Sequence, residues 1–183
     1  MDTAPVARDI AVDGGYSPEV ANAIAEQCAD AGISLVASLP DDWISLLIDT
    51  FDNDARFNHV PVNREESAIG LCSGAFMGGT GAVALMGASG LMTLIYAITK
   101  INYTYEIPVF IMITRRGSLD DGAKFHVSNG LYLDAVMDAI DLPHVLIDSR
   151  HKIRDIGAAY AHSRKISRPV VAVLTKKLLQ GRA

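Results

Sequence analysis

The chain has 183 residues, half of them hydrophobic and 20% charged, which is one domain's length with apolar material for a sizeable core. Its 16 basic and 21 acidic side chains leave a formal charge of −5, which argues against a nucleic-acid or anionic-membrane surface. Two cysteines, Cys28 and Cys72, are too few for a disulfide framework or a four-thiolate metal site, and no charge-free apolar run of about 18 residues offers a membrane span.

Residues 1–16 are polar and lack periodicity, so they read as a flexible arm ahead of a single domain over 17–183. No basic start followed by an apolar run marks a leader, and reduced thiols in a cytoplasmic protein are the expectation. Ser17-Pro18 has the form of a helix start and opens a helix to about Ala31, which Gly32 ends. Ile33 to Leu39 reads as a strand, Pro40-Asp41-Asp42 as a turn, and Trp43 to Phe51 as the next helix. Phe57 to Val62 is a predicted strand and Arg64 to Gly78 a helix. Ala82 to Met86 is apolar without alternation, as in a strand covered on both faces. Ser89 to Tyr103 is helical in pattern, Pro108 to Thr114 is a second buried strand, and 115–130 is a long irregular stretch. A helix over Leu131 to Ile140, a strand over His144 to Ile147, a helix from Arg150 to Ser163 and a strand over Pro169 to Leu174 complete the chain. Six strands alternating with six helices predict an α/β fold: an open, mostly parallel six-stranded sheet with helices on both faces. Ligands of such sheets bind beyond the carboxyl ends of the strands. That singles out the turns at Pro40–Asp42, Asn63–Glu66 and Gly87–Gly90, and the 115–130 loop.

None of the familiar dinucleotide, P-loop, nucleophile-elbow or zincin motifs is present. Gly87-Ala88-Ser89-Gly90 is either a tight strand-to-helix turn or a cradle for an anion. Arg64-Glu65-Glu66 opens a helix, where acidic side chains complement the helix dipole. Glu66, Gly70, Gly74 and Gly78 then follow at four-residue spacing, although a glycine inside a helix costs about 1 kcal/mol. Such a stripe points to close approach by another helix or a ligand, and a helix–helix contact between subunits is the favoured reading. The long loop carries Arg115, Arg116, Asp120, Asp121, Lys124 and His126. Either it is a solvated loop or it walls a site, with His126 as proton carrier or anion ligand. His59, His144, His151 and His162 read as structural, Trp43 as an anchor for its helix, and Cys72 as core packing.

The run Asn63-Arg64-Glu65-Glu66-Ser67-Ala68-Ile69-Gly70-Leu71-Cys72-Ser73-Gly74-Ala75 resembles the glutamate helix of the pyrimidine-binding (PYR) domain of thiamine diphosphate enzymes. There a glutamate is followed by small residues and by a glycine nine positions on, a spacing that Glu65 and Gly74 keep. Gly87-Ala88-Ser89-Gly90, the helix after it and Glu106-Ile107-Pro108-Val109-Phe110 are similar to the PYR segments that come next. Within that superfamily, Pro40, Arg64-Glu65-Glu66, Arg116-Gly117 and His126-Val127-Ser128 resemble the alpha subunit of sulfopyruvate decarboxylase and the matching half of phosphonopyruvate decarboxylase. The likeness covers about residues 18–179. Lys124, Phe125, Asp120 and Asp121 depart from the pattern of those relatives, so the substrate's head group stays open.

The resemblance implies half of an enzyme. A separate subunit with the diphosphate-binding (PP) domain, carrying a Gly-Asp-Gly motif and a later Asn, would hold the diphosphate and Mg2+; this chain has no metal ligands of its own. Self-association through the PYR domain is implied as well. The implied reaction is decarboxylation of a small 2-oxo acid, sulfopyruvate or phosphonopyruvate, to the aldehyde and CO2. By the same carry-over Glu65 bonds the cofactor's pyrimidine, with Glu66 as the alternative. Pro40, Ser89 and Gly90 line the cofactor, and Arg116, His126 and Asp41 meet the substrate, His126 also moving protons. Two other readings stand beside this one: a different thiamine diphosphate reaction in the same split architecture, or a PYR-like scaffold without catalysis.

Overall fold

A computed structural model describes residues 15–119 and 121–183. Helix α1 spans Pro18–Asp30, and its first turn is closed by Ser17, whose Oγ accepts from Val20 N at 3.3 Å. Val20, Ala21, Ile24, Ala25 and Cys28 form its buried stripe. Gly32, at φ 80°, ends it in the left-handed region that favours glycine. Then come β1 (Ile33–Ser38), α2 (Ser45–Asp52), β2 (Asn58–Pro61), α3 (Glu65–Met77) and β3 (Gly81–Met86). The second half holds α4 (Ala88–Thr93), α5 (Ile95–Ala97), a π turn over Ile98–Tyr103, β4 (Phe110–Thr114) and α6 (Val127–Ala139). It closes with β5 (His144–Ile147), α7 (Asp155–Ile166), β6 (Val170–Leu174) and α8 (Lys176–Leu179).

The six strands form one sheet in the order β2-β1-β3-β4-β6-β5, and every neighbouring pair is parallel. Burial follows that order. β4 and β6 are buried at every position and β3 at all but its first, whereas the four-residue edge strands β2 and β5 are largely open. One core lies on the α1, α2 and α7 side, around Ile24, Leu47, Phe51, Phe110 and Ile156. The other lies beneath α3, α4 and α6, around Ile69, Leu91, Ile98, Ile111 and Leu133.

The predicted helix over 89–103 is broken into α4, α5 and the π turn. Thr93 Oγ1 donates to Gly90 O at 2.8 Å and Thr99 Oγ1 to Ile95 O at 2.7 Å, and such back-bonding bends helices. Helix α6 starts at Val127, four residues before the predicted start, and α7 is shifted toward the C-terminus behind a 3-10 turn over Arg150–Lys152. The short helix α8 was not predicted. The first 14 residues of the expected arm lie outside the described residues; at its inner end Tyr16 packs against the core, and Ser17 N donates to Leu179 O at 2.8 Å. No helix of the described residues is long and apolar enough to cross a membrane.

β1 connects to β2 on one side of the sheet, while β3 pairs with β1 on the other. The strand order therefore reverses between β1 and β3, the place where parallel sheets open a crevice at their carboxyl ends.

Candidate active site

At that crevice the turn after β3 meets two carboxylates. Gly87 and Gly90 frame a turn into α4, a helix of only six residues. A Cβ on Gly90 would stand 2.6 Å from Glu65 Cγ and 2.9 Å from its Oε1; one on Gly87 would collide with the carboxylate of Asp41. The two glycines are thus explained by room for two side chains rather than by an anion cradle.

Glu65 is the first residue of α3, carried there from the end of β2, and its side chain is half-buried. Among the described residues no hydrogen bond or ion pair engages its carboxylate. Glu66 differs. Arg64 Nη2 lies 3.4 Å from its Oε1, and its carboxyl is held below the usual carboxylate range by its own backbone N–H and then by Arg64. The geometry thus sets Glu65 apart from Glu66, the alternative that the sequence offered beside it.

A second cluster joins the turn after β1 to the loop after β4. Arg116 is 3% exposed, and its Nη2 donates to Asp41 Oδ1 at 2.6 Å and to Asp42 Oδ1. Its Cζ stacks 3.9 Å above the Trp43 ring. Burial opposes its charge, and the bonds to Asp41 and Asp42 outweigh that opposition. Its Nε and Nη1 are buried and have no hydrogen-bond partner among the described residues. Asp41 Oδ1 also accepts from Trp43 N at 3.0 Å, so that one carboxylate shapes the turn and holds the arginine.

His126 closes a 3-10 turn over Lys124–His126. Its Nδ1 lies 2.8 Å from Asp121 Oδ2. The Asp121 carboxylate also accepts from Gly117 N at 2.9 Å and Ala123 N at 3.2 Å, so one side chain ties the loop together. Burial raises the Asp121 pKa, and the bonds from Gly117, His126 and Ala123 more than reverse this, leaving it below the ordinary value. The His126 ring meets Trp43 edge-on at 6.1 Å and Phe125 at 4.2 Å. Asn129, in α6, is buried and donates to Ser89 Oγ at 2.9 Å, fixing Ser89 beside Gly90.

Of the predicted residues, Glu65 lies against Gly90, next to Ser89, while Asp41 pairs with Arg116, and Arg116 and His126 both pack on Trp43. Pro40 and Asp41 border a cleft of about 370 Å³ shared with Asp42, Ile48 and His59. His59 ties the sheet edge: its Nε2 is 2.7 Å from Ser38 Oγ and its Nδ1 2.8 Å from Asp52 Oδ1. The glycine stripe stays open, with no atom within 4 Å of a Cβ built at Gly70 or Gly74. Burial pushes both the Cys28 and the Cys72 thiol up to about 12, which keeps them protonated and unreactive at neutral pH.

Three residues at the site escaped the sequence. Lys176 Nζ lies 4.9 Å from the Trp43 ring centroid. Its signal was available, since it follows the carboxyl end of β6. Asn129 sits in a Ser-Asn-Gly run that reads as loop. The Tyr16 phenol is pushed up to about 12 by burial and then by Asp42, although it was assigned to the arm.

No family model matches the chain. Among curated proteins it is similar to the sulfopyruvate decarboxylase subunit alpha of Methanococcus maripaludis, 31% identical over 122 residues, which is 67% of this chain and 73% of that one. The subunit alpha of Methanocaldococcus jannaschii is 28% identical over 151 residues, 81% of this chain and 88% of that one. The phosphonopyruvate decarboxylase of Streptomyces viridochromogenes is 28% identical over 118 residues, 63% of this chain but 30% of that protein. Among solved structures, the 2-oxoglutarate:ferredoxin oxidoreductase from Magnetococcus marinus superposes with a TM-score of 0.63 at 14% identity. That match covers 87% of this chain and 29% of the oxidoreductase chain, and it bears on the fold alone.

Proposed function

The chain belongs to the sulfopyruvate decarboxylase alpha-subunit family, subunits of 2-oxo acid decarboxylases, and from that premise we propose that it supplies the pyrimidine-binding half of a thiamine diphosphate site shared with a separate beta subunit. The observation that carries this reading is the Glu65 carboxylate: half-buried, unpaired among the described residues, and lying against a turn where Gly90 leaves no side chain in its way.

These residues fit the pyrimidine of the cofactor. A carboxyl with no partner on its own chain can hydrogen-bond a ring nitrogen, and the Gly90 position has no Cβ to block the approach of a flat ring. When bound, thiamine diphosphate supplies the electron sink that no side chain offers for the charge left as CO2 departs. Glu65 would hold a proton at the pyrimidine N1′ nitrogen and so set the ring's tautomer. Ser89, fixed by Asn129, and Pro40 would form the neighbouring walls. His126, oriented by Asp121, would carry a proton at its Nε2 or meet the anionic head of the substrate; Arg116 and Asp41 stand beside it.

Among the described residues no group of three or more His, Cys, Asp or Glu could hold a metal ion. In this reading Mg2+ and the diphosphate belong to the beta subunit's PP domain, and the open α3 face serves contact between PYR domains. The substrate is a small anionic 2-oxo acid, sulfopyruvate or phosphonopyruvate, and the complex works in the cytoplasm, where Cys28 and Cys72 stay as thiols.

The test is to assemble the chain with its beta partner, thiamine diphosphate and Mg2+, and to follow CO2 release from a panel of 2-oxo acids. Release from sulfopyruvate or phosphonopyruvate, and little from pyruvate, is the expected result. Assembly with no release from any 2-oxo acid would favour a scaffold.

A further inference from the structure

Asp41 is held from two sides: the glycine at 87 leaves it space, and Arg116 binds it from above, 75 residues along the chain. Arg116 in turn is fixed by the face of Trp43 at 3.9 Å and by Asp42. Trp43 is itself 5% exposed, and its N–H returns to Asp41 Oδ1. Tryptophan, arginine and aspartate thus form a closed unit that presses the turn after β1 onto the turn after β3. Three residues further along that second turn, Gly90 faces Glu65. Since β1 and β4 are separated in the sheet by β3, no backbone hydrogen bond joins these two strands, and the side chains of this unit, with the contact of His126 on Trp43, link the loops that follow them.

We propose that Arg116 and Trp43 are positioning residues, which clamp Asp41 against Gly87 and thereby hold Gly90 at the distance from Glu65 that the cofactor's pyrimidine requires. The role rests on the functional reading above. It gives Arg116 a task other than touching the substrate's head group. Its covered guanidinium supports this: Nε and Nη1 are shut off from solvent. Replacing Arg116 would then misplace a reacting geometry while leaving substrate affinity nearly intact, because interactions that matter only at the reacting centre appear in kcat.

The test uses the full chain assembled with its partner subunit, thiamine diphosphate and Mg2+, comparing wild type with Arg116→Gln, Arg116→Lys, Trp43→Leu and Trp43→Phe. Kinetics with the 2-oxo acid are read beside peptide-resolved hydrogen exchange over residues 39–44 and 87–94. The clamp predicts that Arg116→Gln lowers kcat by about ten- to a hundredfold, with KM within about twofold and faster exchange in both segments. Arg116→Lys keeps the charge and falls less far than Arg116→Gln; Trp43→Phe keeps a ring and falls less far than Trp43→Leu. Gly87→Ala, which displaces Asp41 while leaving residue 116 unsubstituted, gives the same signature and serves if an Arg116 variant fails to assemble. A KM rise of about tenfold or more with kcat unchanged would show direct contact with the substrate and overturn the proposal. Unchanged exchange over 87–94 in Arg116→Gln would overturn it as well. Should the wild-type complex decarboxylate no 2-oxo acid, the functional reading fails, and the exchange arm still decides whether the clamp exists.

Discussion

The Glu65 side chain rests on Gly90 so closely that a methyl group there would stand 2.6 Å from its Cγ. Because the intruding atom meets the middle of the side chain, relief requires Glu65 to swing away. Gly90→Ala is therefore expected to lower decarboxylase turnover at least tenfold, the order of loss when a reacting group is displaced by about an ångström. Crowding at this buried position costs about 1–3 kcal/mol against about 1 kcal/mol of helix propensity gained, so the thermal midpoint should hold or fall by only a few degrees. Turnover and thermal unfolding, measured on one preparation of the complex, check both halves of this statement.

A contact between two glycines closes the loop that carries His126. Gly117, at φ 74°, packs its backbone on Gly130, where a Cβ would lie 2.8 Å from Gly117 C and closer still to its carbonyl oxygen. Both partners are backbone and neither can rotate aside. Gly130→Ala should open the loop base and loosen the chain around Lys124, whose side chain is already exposed, for trypsin. The expected result is cleavage after Lys124 several times faster than in wild type.

His59 bridges Ser38 on β1 and Asp52 on α2 from the edge strand β2. Ser38 is 1% exposed, so removing the imidazole strands a buried hydroxyl beside a cavity. His59→Ala should lose about 1–3 kcal/mol. Denaturant unfolding of the chain checks it.

Acid should loosen the loop through Asp121. Its folded pKa lies below the ordinary value of 3.8, so its contribution to stability is fully present above that value and is lost as pH falls through the folded pKa. The wild type should therefore lose stability as pH falls below about 4, and Asp121→Asn should start less stable and lose less over the same range. Thermal midpoints of both proteins from pH 6 to pH 3 test the sign.

Local chemistry was readable from the sequence, and long-range pairing was not. The Ser17-Pro18 cap, the largely apolar strands β3, β4 and β6, and the Glu65 helix all announce themselves within a dozen residues, and the structure puts them where they were expected. Arg116 and Asp41 lie 75 positions apart, and nothing near either residue reveals that they meet. Gly130 reads as a loop residue because glycine disfavours helices. Its reason for lying inside α6 is the approach of Gly117, which only the folded chain shows. The break after Thr93 has the same character, since a threonine's choice between solvent and the carbonyl behind it depends on its packing. Lys176 follows β6 directly, but its approach to Trp43 spans 133 positions of the chain and is a long-range contact like that of Arg116.

Glu65→Gln in the assembled complex tests the central claim most directly, with Glu66→Gln beside it. The substitution keeps size and shape and removes only the capacity to hold and release a proton. If Glu65 serves the pyrimidine, turnover falls by about a hundredfold or more, the range general acid–base groups contribute, while assembly is retained and Glu66→Gln stays close to wild type. Turnover of Glu65→Gln within about threefold of wild type would contradict the account, because a change that small is far below what losing such a group costs.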